Sequence, residues 1–201
     1  MEKEKPAVSV TVGRNDALLI VDVQRDFLPG GNLGVPEGDA VVPVLNRYIA
    51  AARAKGLPIF ASRDWHPRNH CSFKAQGGPW PEHCVAGTPG AAFAEGLQLP
   101  SDARIIDKAT RVEADAYSAF SGTALAGELR RRGVQRLLVG GLATDYCVLS
   151  TVRDARREGF EVFLLKDAIR AVNVNPGDGE RAEREMRDAG AVAATYEELA
   201  A

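Results

Sequence analysis

Six short, almost uninterrupted apolar runs, separated by amphipathic stretches, constrain the fold of this chain more than any other feature. They are Ala17 to Val23, Leu57 to Ala61, Ala103 to Ile106, Arg136 to Gly140, Glu161 to Leu165 and Ala191 to Thr195. A strand with one wet face alternates apolar and polar side chains. A run without alternation needs cover on both faces, the condition of a parallel sheet between two helix layers. The intervening segments carry helical spacing. Asp39 reads as the cap of a helix that buries Val42, Leu45 and Ile49 and stops at Gly56. Ser121 opens a second with Leu125 and Leu129, ended by Gly133, and Thr144 a third with Val148, Val152 and Ala155, ended by Gly159. A fourth runs from about Asp178 through Ala182 and Met186 to Gly190. Strand and helix alternate throughout, which predicts a three-layer, doubly wound α/β domain.

One connection breaks the rhythm. Trp65 to Pro100 carries five of the 11 prolines and five of the 20 glycines, with no helical period outside Ala91 to Gly96. Structureless connections beyond ~12–15 residues are uncommon in compact domains unless they are functional or disordered. All three histidines, His66, His70 and His83, fall here, with both tryptophans and two of the three cysteines. Asp64 and His66 are two apart on an extended chain and point to the same side, and Pro67 biases His66 toward that extended conformation. With His83 they make three O and N donors that leave positions for water or substrate, the pattern of a catalytic rather than a structural metal site. The set suits zinc, with iron or manganese as alternatives. His70 is either a further ligand or a pocket wall.

In open α/β sheets ligands sit at the carboxyl ends of the strands. Asp22, Asp64 and Lys108 close three of the apolar runs, and Cys147 lies just past Gly140-Gly141. With parallel strands all four share one sheet edge. Cys147 is expected in the first turn of a helix, where unpaired N–H groups and the dipole favour a thiolate and could hold an oxyanion. An ammonium such as Lys108 about 4 Å away, at an effective dielectric of ~20, would contribute up to ~4 kcal/mol in the same direction. Nucleophile, base and cation are the parts of a covalent acyl-transfer site.

Bulk properties exclude other classes. The 25 basic and 27 acidic residues leave a net charge of -2 with no basic block, which argues against nucleic acid as a partner. No apolar stretch is long enough for a membrane span or signal peptide. An odd count of three cysteines in 201 residues is a poor disulfide framework, so a cytoplasmic protein with reduced thiols is expected. Residues 1–201 are read as one domain, with a core at about 16–196 and a charged segment over 1–13. The expected partner is a small molecule; a homo-oligomer is compatible with the sequence.

The segments Ile20-Val21-Asp22-Val23-Gln24 with Asp26-Phe27, Arg63-Asp64-Trp65-His66-Pro67, Trp80-Pro81-Glu82-His83-Cys84, Lys108, Tyr117-Ser118-Ala119-Phe120 and Gly141 to Val148 resemble nicotinamidases of the isochorismatase-like cysteine hydrolase superfamily. The resemblance implies a six-stranded parallel sheet in the order 3-2-1-4-5-6 and hydrolysis of nicotinamide, and of pyrazinamide, through a cysteine thioester. It implies Cys147 as nucleophile, Asp22 as its proton acceptor and Lys108 as the stabilising cation. It further implies one divalent metal, zinc foremost, on Asp64, His66 and His83. A cis bond is implied between Leu142 and Ala143, with the N–H groups of Ala143 and Cys147 as oxyanion hole. Phe27, Trp80, Tyr117 and Leu142 are the implied pocket residues. Arg25 stands where the family usually has Asn and is expected to alter the pocket rim. Two other readings compete: a related amidase acting on a ureido or carbamoyl substrate, and a non-catalytic module in which Cys71 and Cys84 close a structural zinc site.

Overall fold

The apolar runs form one all-parallel sheet. The computed structural model describes residues 12–200; the charged segment read at 1–13 lies outside them as far as residue 11. The strands are β1 (Asp16–Val21), β2 (Ile59–Asp64), β3 (Arg104–Lys108), β4 (Arg136–Leu142), β5 (Glu161–Arg170) and β6 (Val192–Ala194), in the order β3-β2-β1-β4-β5-β6. The helices are α1 (Val41–Ala54), α2 (Leu125–Arg131), α3 (Leu149–Arg157), α4 (Asp178–Asp188) and α5 (Tyr196–Ala200). No helix among the described residues is long and apolar enough to cross a membrane.

The two-sided cover explains the missing alternation. Every residue of β1 is buried, with Leu18 and Ile20 packed on one face and Ala17, Leu19 and Val21 on the other. The first face meets Leu45 and Ile49 of α1 and Leu199 of α5. The second meets Leu125 and Leu129 of α2, Val152 and Ala155 of α3 and Met186 of α4. A fully buried leucine such as Leu45 contributes about 1.5–3 kcal/mol relative to exposure. Gly56, Gly133, Gly159 and Gly190 all take positive φ just past helix ends, as their positions in the sequence predict.

Several boundaries differ from expectation. Asp39 makes no cap; it lies in a 3-10 turn over Gly38–Ala40, and α1 begins at Val41. The helix read from Ser121 starts at Leu125, because Thr123 Oγ1 takes the Leu125 N–H at 3.3 Å and donates to Ala119 O at 2.6 Å. β5 runs five residues past Leu165. A register shift against β4 lets Ile169 and Arg170 pair with Gly141 and Leu142, and Asp167 accepts from Tyr48 Oη at 2.8 Å. The expected helix at Ala91–Gly96 does not form; only Ala91 belongs to a 3-10 turn, Pro89–Ala91, with proline at its start. Helix α5 was not anticipated. The long connection is folded on itself by bridges at His66–Val85 and Phe73–Trp80, and a bridge at Gln24–Phe93 ties it to the body.

Candidate active site and metal centre

Lys108 ends edge strand β3, in register with Asp64 at the end of β2. Its side chain is fully buried, and Nζ lies 2.5 Å from Asp64 Oδ1, 2.9 Å from Ala116 O, 3.0 Å from Asp22 Oδ2 and 3.5 Å from Cys147 Sγ. A buried ammonium survives only when paired. Burial alone would depress Lys108, but Asp22 and Asp64 outweigh it and hold the amine well above the ordinary lysine range. Asp22 leaves β1 in the left-handed region at φ 48, sparsely populated by residues other than glycine. Its Oδ1 accepts from Ser62 Oγ at 2.7 Å, and Oδ2 makes the ion contact with Lys108 without a hydrogen bond. Complete burial raises the Asp22 carboxyl above its usual range against the pull of Lys108.

Cys147 lies in a π-helical turn, Thr144–Val148, that precedes α3. Ala143 occupies the cap position and no side chain caps the turn, so Thr144 is not the cap; it is buried. The expectation of a depressed thiol fails for the free protein. Burial pushes the Cys147 thiol well up; Lys108 pulls it down, but Asp22 and Asp64 oppose that pull. The carboxylates that hold the lysine also spend its field. The Leu142–Ala143 peptide is cis.

Asp64, His66 and His83 are all buried and bring one ligand atom each to within 4.8 Å of one another. His66 Nδ1 faces Ala109 O at 3.3 Å and His83 Nδ1 faces Pro81 O at 2.8 Å, which directs both Nε2 atoms to the cluster. His66 Nε2 is buried, 3.6 Å from Asp64 Oδ2, and has no hydrogen-bond partner among the described residues. Two inward nitrogens and a carboxylate suit a divalent ion. Gln24 holds the main chain of Asp64 on both sides: Oε1 accepts its N–H and Nε2 donates to its carbonyl, each at 2.8 Å. His70 lies outside this group. Its Nδ1 is 2.7 Å from Ser72 Oγ, its Nε2 3.3 Å from Ala114 O, and its ring stacks on His66 with centroids 4.2 Å apart. The cluster contains no cysteine among the described residues; Cys84 is buried in the core and Cys71 is half-buried.

Cys147 and the Asp64-His66-His83 cluster open into one cleft. Phe27, Trp80, Tyr117, Ala143 and Cys147 line it as expected, beside Asp64, His66 and His83. Leu142 does not. It ends β4 pointing into the α1 side of the core, fully buried against Gly38. Arg25 also stays away from the cleft wall and pairs with Glu95 at 3.2 Å on the surface. Sequence reasoning missed Val35, Tyr146 and Val172 among the lining residues. Tyr146 was adjacent to Cys147, and its ring packs edge-on against Trp80 at 5.2 Å. Val172 follows β5, whose true end the charged Lys166-Asp167 pair concealed.

Fold and site together define a parallel α/β protein with a buried thiol, amine and carboxylates at the strand ends. The chain matches the isochorismatase domain model over residues 16–198 and belongs to that family. It is 41% identical over 196 residues to the nicotinamidase of Escherichia coli K12, covering 87% of this chain and 92% of that protein. Among solved structures, the pyrazinamidase of Pyrococcus horikoshii in complex with zinc is 52% identical with a TM-score of 0.87, covering 90% of this chain and 99% of that one. PnC1 from L. infantum in complex with nicotinate is 40% identical with a TM-score of 0.86, covering 94% and 98%.

Proposed function

We propose that this protein is an amidohydrolase that converts nicotinamide to nicotinate and ammonia. One observation carries the reading: Cys147, with Lys108 Nζ buried 3.5 Å behind it, and the Asp64-His66-His83 cluster face the same cleft. A flat ring with a carboxamide and a nitrogen meta to it can serve both at once. Pyrazinamide keeps a nitrogen at that position and is a second substrate. The nicotinamidase, the zinc complex and the nicotinate complex among the relatives support the same chemistry.

In this reading Cys147 enters as a thiol. As Sγ bonds to the carboxamide carbon, its proton passes to Asp22, whose raised pKa suits it to accept and then return a proton. The N–H groups of Ala143 and Cys147 take the oxyanion. Asp22 then delivers the proton to the departing nitrogen; ammonia leaves and a thioester remains. Water next gives a proton to Asp22 and adds to the thioester carbon. The C–S bond breaks, the sulfur recovers the proton from Asp22, and the carboxylic acid departs, losing its proton to water to give nicotinate. Lys108 stays charged throughout and stabilises the anionic stages. Asp64, His66 and His83 would hold a divalent ion, zinc foremost, which when bound offers the ring nitrogen a coordination position and so orients the substrate.

The test is ammonia release from nicotinamide, pyrazinamide and benzamide by purified protein, with and without chelator. Turnover of the first two, loss with chelator and poor turnover of benzamide are expected. Metal-loaded protein that leaves nicotinamide intact would sink the reading. Cys147→Ala should abolish turnover, by a factor of about 10³ or more, with metal still bound.

A further inference from the structure

Asp145 sits two residues before the thiol-bearing Cys147 yet faces the other way. It is half-buried in the π-helical turn, and its carboxylate reaches the strap that leaves β5. Oδ1 accepts the N–H of Val172 at 2.9 Å and Oδ2 that of Asn173 at 2.8 Å. Both oxygens are thus committed to two consecutive backbone donors, a pairing stronger than neutral hydrogen bonds. The strap is fastened on its far side too. Asn173 takes φ 54 and its Oδ1 accepts the Gly179 N–H of α4 at 2.8 Å. A Cβ at Gly179 would fall 2.6 Å from Ala171 Cβ, so only glycine lets α4 approach this closely. Val172, on this strap, lines the cleft that Cys147 and Tyr146 also line and packs against the core on the α1 side.

We infer that Asp145 is a positioning residue that sets ring selectivity by holding Val172 as a fixed wall of the substrate cleft. The carboxylate touches neither substrate nor reacting atoms. It locks the strap to the turn that carries Cys147, so wall and nucleophile keep one spacing. Removing it leaves two strap N–H groups without their acceptor and lets Val172 move outward. The wall then ceases to reject rings that carry a substituent on that side. One methyl group in a tight apolar pocket is worth roughly 10–200-fold in discrimination.

This inference rests on the nicotinamide reading, and its test separates the two. Nicotinamides methylated singly at each free ring carbon are assayed with the parent protein, Asp145→Ala, Asp145→Asn and Val172→Ala. Asp145→Ala should raise kcat/KM for one methylated ring relative to nicotinamide by about tenfold. Val172→Ala should favour the same ring. Asp145→Asn, which keeps the size and one acceptor, should fall between parent and Asp145→Ala. No change in any ratio, or different rings favoured by Asp145→Ala and Val172→Ala, would overturn the assignment. Hydrogen exchange at the Val172 and Asn173 amides supplies a readout that needs no substrate. It should accelerate in Asp145→Ala, and unchanged protection would count against the clamp even if the protein hydrolysed another amide. Failure of the parent protein on nicotinamide with accelerated exchange in the variant would strike the functional reading and leave the clamp standing.

Discussion

Lys108 Nζ lies 2.5 Å from one oxygen of Asp64, and the other oxygen of that carboxylate lies 3.6 Å from His66 Nε2. One side chain therefore belongs to the thiol centre and to the ligand cluster. Burial would raise the Asp64 carboxyl, but Lys108 first and then His66 outweigh it and hold the group well below the usual carboxylate range. It stays ionised at any working pH. Asp64→Asn keeps the shape and removes that charge. Metal affinity should fall by at least ~10-fold and turnover by on the order of 10²-fold. Metal titration alongside ammonia release checks this, and parental metal affinity in the variant would remove Asp64 from the ligand set.

The thiol itself gives a sharper test. Burial first, then the negative charges of Asp22 and Asp64, raise Cys147 against the pull of Lys108. The free protein therefore holds the neutral thiol at pH 7. Iodoacetamide alkylation should keep accelerating beyond pH ~8.5, where an ordinary thiol is already half ionised. Asp22→Asn removes one raising charge and should speed alkylation at neutral pH. Lys108→Met removes the lowering charge and should slow it. Each unit of pKa corresponds to about tenfold in thiolate fraction. Slower labelling of Asp22→Asn would mean that this carboxylate assists ionisation in the free protein.

These signs could not be read from sequence, although the four strand-end residues could. Asp22, Asp64, Lys108 and Cys147 were legible because parallel strands bury both faces and topology then gathers their carboxyl ends on one edge. The direction of the Cys147 shift depends on total burial and on two carboxylates sharing one lysine, and neither follows from spacing. Leu142 fails for a simpler reason. Its motif position suggested the pocket, but alternation along β4 puts it on the face of Leu138, toward α1. Asp39 and Thr144 are good caps by residue type, yet neither caps a helix: Asp39 is exposed in a 3-10 turn, and Thr144 is buried inside the π-helical turn. Gln24 lay in plain view beside Asp22, but its bonds to both sides of Asp64 join residues 40 apart in the chain.

His83 and His70 should separate cleanly. The first has Nε2 turned to the cluster, and the second has protein partners at both ring nitrogens. His83→Ala should strip the metal at micromolar concentration and raise KM for nicotinamide. His70→Ala removes a ring stacked on His66 without a hydrogen bond to it, so metal affinity should change by less than the ~10-fold typical of a supporting hydrogen-bond partner. Equal metal loss in both variants would make His70 a ligand. Burial lowers the pKa of both rings, so both are neutral at pH 7 and charge repulsion does not confuse the comparison.

The juxtaposition of Asp22 with the Cys147 turn depends on how closely β1 and β4 approach, and Gly141 governs that approach. It takes φ +129, and a Cβ there would sit 2.1 Å from Val21 O, one residue before Asp22. Backbone cannot yield as a flexible side chain would. Gly30 is the control, with φ +89 and nothing within 4 Å of its would-be Cβ. Gly30→Ala loses only the conformational preference, about 1–2 kcal/mol. Gly141→Ala adds a backbone collision and should cost about 3–5 kcal/mol. At roughly 2–4 °C of Tm per kcal/mol for a domain of this size, Gly141→Ala should melt about 10 °C lower and Gly30→Ala a few degrees lower. The expected signature in the folded fraction of Gly141→Ala is reduced kcat with near-normal metal content, because the insult separates Asp22 from the thiol and leaves the β2 end and its histidines in place. Melting of Gly141→Ala within a degree or two of Gly30→Ala would show that the strands can part without strain, and that Gly141 does not set the spacing of the two groups.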